Sequence, residues 1–205
     1  MDFWDVVVRR RSVRKFDKEE VPMKAIEEII KTASLAPSGS NAKNWHFIVV
    51  KDGKVKEQMC TAVSSRIDEL AGKMKSKRAR EDFVDYSGYF TFFSEAPVVI
   101  SVVMKKYDAL SVRILKKYDK DSSYTSTAGV QGVSAAVQNM LLACTALGLG
   151  ACWMTGPLIA KEALEDILGI EGDDHLMSLV PVGIPLGTPS PYAFPEDVSN
   201  IMTVI

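Results

Sequence analysis

The chain has 205 residues, 47% of them hydrophobic, enough to bury a sizeable core in one large domain covering residues 1–205. Charged residues make up 25%, the formal net charge is -1 and the pI is about 6.2, which argues against disorder and gives no global reason to expect nucleic acid or an anionic membrane as partner. The charge is uneven: beyond Asp121 one basic residue, Lys161, stands against eight acids, so an anion would be gripped by the first half.

The opening "MDFWDVVVRR" has acids where a signal peptide needs bases, and its apolar run is short for a signal core. Pro22 starts a helix with Met23, Ile26, Ile29, Ile30 and Ala33 on one face, ending near Ala36-Pro37. "WHFIVVK" (Trp45–Lys51) reads as a strand, and Val55–Leu70 as a helix. The basic, then aromatic stretch Lys73–Phe93 has no clear period. "APVVISVVM" is a buried strand, because its apolar run is almost continuous. Lys105–Tyr124 reads as an exposed insertion of mixed charge. Thr127–Leu147 is a helix without charge on any side, hence central to the fold or covered by another chain. "GACWM" is a third strand, "AKEALEDIL" a short helix and "HLMSLVPVGIP" a fourth strand. The tail "GTPSPYAFPEDVSNIMTVI" cannot bury itself alone and is expected to lie over a neighbouring surface, such as that of a second subunit. Strands separated by helices fit an α+β, or α/β sandwich, architecture.

Ser122–Ala160 carries no charge, which raises a membrane span. Gln131, Ser134, Gln138, Asn139 and Thr145 are spread through it, and Gly148 and Gly150 end its period, so a cytoplasmic protein is expected. Cys60, Cys144 and Cys152 are odd in number and lack CxxC spacing, which disfavours a disulfide framework and a zinc site. His46 and His175 are the only histidines. His46, within a strand, reads as structural, and "GDDH" (Gly172–His175) has no partnering cluster for a metal.

Three segments carry candidate chemistry. "RRRSVR" offers planar guanidinium forks and a hydroxyl that match phosphate oxygens, or alternatively a solvated helix end stabilised by about 0.3 to 1 kcal/mol. "APSGSN" (Ala36–Asn41) is either a connecting loop or a binding loop on a rigid scaffold. "ALGLGACWMTGP" contains G-x-G, yet follows a helix and places Trp153 where a third glycine belongs, so no dinucleotide-binding fingerprint is present. Its strand end, Met154-Thr155-Gly156, offers backbone N–H groups to a flat ligand. No P-loop, HExxH or G-x-S-x-G occurs, so any chemistry resides in a bound cofactor.

In that order, "RRSVRKF", "APSGSNAKNWHFIVV", "SAAVQNMLLACTALGLGACWMTGP" and "VPVGIPLGTP" together resemble the nitroreductase family of FMN-dependent oxidoreductases. The resemblance implies a nitroreductase-like fold, a central mixed sheet flanked by helices, with a C-terminal arm exchanged in a homodimer. It implies two FMN sites, each built from both subunits. Arg10, Arg11, Ser12 and Arg14 would hold the ribityl phosphate and the polar edge of the flavin. Pro37, Ser38, Gly39 and Asn41 would reach it from the partner chain, and Thr155 and Gly156 would place donors near its N5 and O4 edge. NADH or NADPH would be the reductant, and a flat aromatic acceptor such as a nitroaromatic or quinone would follow in the same space. A flavin-fragmenting or dehalogenating branch, or a non-catalytic flavin binder, is the alternative. The chain departs from the pattern at Lys43-Asn44, where many relatives have Gln-Pro, and in a tail without the basic residue that many relatives give to the phosphate.

Overall fold

The computed structural model describes residues 1–119, 121–187 and 189–205. Asp2 caps the first helix, α1 (Phe3–Arg9), by accepting from the Asp5 N–H at 2.8 Å. Helix α2 (Met23–Ala33) buries Ile26, Ile29 and Ala33, the apolar face legible in its spacing. Strand β1 (Trp45–Val50) leads to Asp52, whose carboxylate accepts from Lys54 N–H and Val55 N–H at 2.7 and 3.2 Å. That cap starts α3 (Gly53–Lys73) two residues before the expected Val55. The uninterpreted segment becomes α4 (Lys77–Ser87), capped by Ser76, and two 3₁₀ turns.

Strand β2 (Val98–Met104) is followed by the charged insertion, which contains the amphipathic helix α5 (Leu110–Tyr118). Then come α6 (Ala128–Ala146), β3 (Gly150–Ala151), α7 (Lys161–Leu168) and β4 (His175–Gly183). The sheet order is β1-β2-β4-β3. In β2 the side chains alternate between two cores. Val98, Ile100 and Val102 meet α2 and α6 on one face, and Val99 meets α3 and α7 on the other. This makes a three-layer α+β sandwich. The charge-free α6 lies along α2 and buries Val133, Ala136, Val137, Met140, Leu141 and Cys144.

Two expectations need correction. The sheet was expected to be mixed; among the described residues its four strands pair antiparallel throughout, and the parallel component is confined to a single bridge between Ser12 and Ala151. The third strand was expected over Gly150–Met154, but its ladder ends at Ala151. Pro181 stands opposite Cys152; it accepts from the Cys152 N–H at 3.4 Å and has no N–H to return. Pairing resumes only at the isolated bridge from Met154 to Leu179. Among the described residues no helix is long and apolar enough to cross a membrane, and no group of three His, Cys, Asp or Glu side chains could hold a metal. His46 points to solvent from β1, while His175 lies 4.0 Å from Glu165.

Candidate functional site

After α1 the chain runs extended beside β3: Val13 N–H donates to Ala151 O at 3.0 Å, and Asp17 N–H to Ile184 O at 2.8 Å. Val13 approaches so closely that a Cβ on Gly150 would fall 2.7 Å from its Cγ1. An extended backbone sends alternate side chains to opposite sides, and the arginines are sorted accordingly. Arg10, Ser12 and Arg14 act together on the Cys152 thiol. Burial pushes that thiol's pKa up, while Arg14, Ser12 and Arg10 oppose the shift.

Arg11 goes the other way. Its guanidinium donates to Ser190 O and stacks 3.9 Å over the Tyr192 ring, while Tyr192 N–H donates to Val8 O at 2.7 Å. Within the chain Arg11 therefore holds the root of the C-terminal tail and does not join Arg10, Ser12 and Arg14. Past that root, Val198, Ile201, Met202, Val204 and Ile205 are exposed.

A cavity of about 470 Å³, a size suited to a small molecule, opens beside Arg14 and is lined by Cys152, Trp153, Thr155 and Gly156. Among the described residues no acceptor pairs with the amide N–H of Thr155 or Gly156. Donors left without a partner beside a cavity are free for a ligand. Met154 and Pro157 also line it, and the other walls come from the aromatics Tyr86, Tyr89, Phe90 and Phe92, which the sequence reading does not single out. The signal was available as five aromatic residues between Tyr86 and Phe93.

The loop with Pro37, Ser38, Gly39 and Asn41 lies elsewhere. Ser38 Oγ accepts from Lys43 N–H at 2.9 Å, and Ser40, Asn41 and Lys43 hold left-handed φ values of 52°, 54° and 46°. A Cβ on Gly39 would fall 2.3 Å from the Tyr107 hydroxyl oxygen, and the loop rests on Gly132 of α6. Lys43 is exposed. The loop enters β1 at Trp45, which pairs with Met104, itself opposite His175 at the start of β4; β3 pairs with Gly183 at the end of β4. The two halves of the expected site thus lie at opposite edges and opposite ends of the sheet, roughly 14 Å apart across the strands alone.

The fold is a three-layer α+β sandwich in which an extended arginine–serine segment lies beside a cavity of small-molecule size. The sequence model described as "Nitroreductase family" matches residues 7–184, and the chain belongs to that family. Iodotyrosine deiodinase 1 of Rattus norvegicus is 30% identical over 188 residues, 90% of this chain; the chain spans only 62% of that relative. A protein of Archaeoglobus fulgidus provisionally named NADH dehydrogenase/NAD(P)H nitroreductase is 30% identical over 183 residues, 88% of this chain and 83% of its own. Among solved structures, a BluB-like flavoprotein from Clostridium difficile 630 superposes with a TM-score of 0.88 at 31% identity, covering 100% of this chain and 99% of its own. A nitroreductase with bound FMN from Bacteroides fragilis NCTC 9343 superposes at 0.69 with 22% identity, covering 98% of each chain, a likeness of fold.

The site fits FMN on its own geometry. Alternation along the extended segment puts Arg10, Ser12 and Arg14 on one side, and Thr155 and Gly156, whose amides have no acceptor among the described residues, line a cavity of about 470 Å³.

Proposed function

We propose that the protein is an FMN-dependent oxidoreductase that takes a hydride from NADH or NADPH and reduces a flat aromatic acceptor, such as a nitroaromatic or quinone, by a ping-pong mechanism. The observation that carries this reading is the meeting of Arg14, Thr155 and Gly156 at one cavity, with Arg10 and Ser12 on the same strand face as Arg14. FMN, when bound, supplies the two-electron carrier. Arg10 and Arg14 would neutralise its phosphate and polar edge, and the Ser12 hydroxyl would donate to it. The Thr155 and Gly156 N–H groups would offer hydrogen-bond donors to its ring edge. Pro37, Ser38, Gly39 and Asn41 complete the crevice from a second copy, since their own chain holds them across the sheet from Arg14. No side chain is assigned as acid or base, and Cys152 remains a neutral thiol.

A dehalogenating reading is favoured by the iodotyrosine deiodinase relative, which is as similar to this chain as the nitroreductase one. One experiment tests the flavin reading itself: purified protein incubated with FMN, then desalted, is expected to stay yellow, to bleach with NADH or NADPH without air, and to regain colour with a quinone. Protein that emerges colourless refutes it.

A further inference from the structure

At the start of α6, Gly129 and Gly132 stand one turn apart and leave a groove along one helix face, which Gly39 of the Pro37–Asn41 loop meets from outside. The half-buried Tyr107 ring lies in that groove. A Cβ on Gly129 would fall 3.1 Å from its Cδ1, and one on Gly39 would fall 3.1 Å from its Cζ. Gly132 takes the loop itself, since a Cβ there would stand 3.4 Å from Pro37 O and from Ser38 Cα. The loop therefore touches α6 directly at one turn, and through the tyrosine ring at the turn before it.

Tyr107 reaches this slot from a fixed point. Its neighbour Lys106 donates from its backbone N–H to Asp174 Oδ1 at 3.0 Å and from Nζ to Asp173 Oδ2 at 2.6 Å, which ties the root of the charged insertion to the turn before β4. Lys105 N–H donates to Asn44 O at 3.0 Å, and Asn44 Nδ2 to Gly129 O at 3.4 Å, so the far end of the loop is bound to the insertion and to α6. Within the loop, the N–H groups of Asn41, Ala42 and Lys43 donate to Ser38 O, Gly39 O and Ser38 Oγ at 3.0, 3.0 and 2.9 Å. Left-handed backbone at Ser40, Asn41 and Lys43 persists only where the surroundings impose it, and at Gly39 those surroundings are Tyr107 and Ala128.

We propose that Tyr107 is a positioning residue for the flavin: its ring is the template on which the Pro37–Asn41 loop is set, so the root of the insertion governs how tightly the crevice of a second copy holds FMN. This role rests on the flavin reading of the site. Tyr107→Ala empties the slot. In protein without FMN, amide hydrogen exchange at Asn41, Ala42 and Lys43 should then quicken by about tenfold, because a loop that has lost its packing opens locally. FMN affinity, from fluorescence titration well below the melting temperature, should fall by about tenfold, the scale of ordering a loop on binding. Tyr107→Phe keeps the ring and should return both readings to within about twofold of the parent. Gly129→Ala presses on the ring from the opposite wall and should weaken FMN by about fivefold, the low end of an overpacking cost. Its melting temperature should stay near the parent's, because alanine is the better helix former, and general destabilisation cannot produce that split. Parental exchange or parental FMN affinity in Tyr107→Ala overturns the role, as does a Tyr107→Phe variant that loses as much as Tyr107→Ala. Should Tyr107→Ala not fold, Gly129→Ala with parental FMN affinity overturns it. A parent protein that takes up no FMN overturns the flavin reading instead, and the exchange rates alone then decide the template.

Discussion

Arg11 and Arg14 carry identical side chains three residues apart, and the extended backbone gives them different partners. Arg14 adjoins the cavity and Cys152, whereas Arg11 is spent on Ser190 O and the Tyr192 ring. Arg14→Ala is expected to weaken FMN binding by about 1.5 to 3 kcal/mol, the range for hydrogen bonds to a charged group, and flavin fluorescence titration measures it. Arg11→Ala should leave FMN affinity within about twofold, while increasing protease cleavage between Ser190 and Phe194, because a guanidinium stacked on an exposed ring contributes about 0.5 to 1 kcal/mol to holding the tail. Equal losses of FMN in the two variants would show that both arginines serve the cofactor. Gly150 permits this sorting, since only a residue without Cβ lets Val13 lie so close to β3.

At the scale of elements, α6 was the most legible, expected over Thr127–Leu147 and found over Ala128–Ala146, because a long uncharged period admits few other readings. β2 was equally plain, its run of valines and isoleucine buried on both faces. The end of β3 was not, since the interruption comes from Pro181, a residue distant in sequence that faces Cys152 only in the folded sheet. The division of the arginines was hidden for a similar reason: the alternation matters only once the strand is pinned to Ala151. In α4, by contrast, helical spacing was available in the pairs Lys77–Glu81 and Arg78–Asp82, at 3.7 and 4.0 Å. The outward stripe of α6, including Gln131 and Gln138, is uncharged and exposed in one chain. A second copy covering that stripe would be repelled by a new charge, so Gln138→Lys is expected to shift sedimentation from dimer towards monomer and to reduce FMN retention with it. A dimer of undiminished stability would place the contact elsewhere.

For the molecule as a whole, the sheet itself dictates the logic of assembly. Its order puts the strand of Arg10, Ser12 and Arg14 along one edge and the Pro37–Asn41 loop at the far corner. Both parts are stiffly held, the first by β3 and the second by Tyr107, Gly132 and its own left-handed residues. Neither can travel to meet the other without unravelling the core between them. On the proposed reading, a complete crevice would therefore draw on two molecules, each lending a different corner.

That diagonal layout has a genetic corollary. Two inactive versions of the chain, one damaged at Arg14 and the other at Asn41, should rescue each other when unfolded and refolded together. In every hybrid pair, one crevice gathers both lesions and the other gathers none, so turnover should reappear from two preparations that are each silent alone.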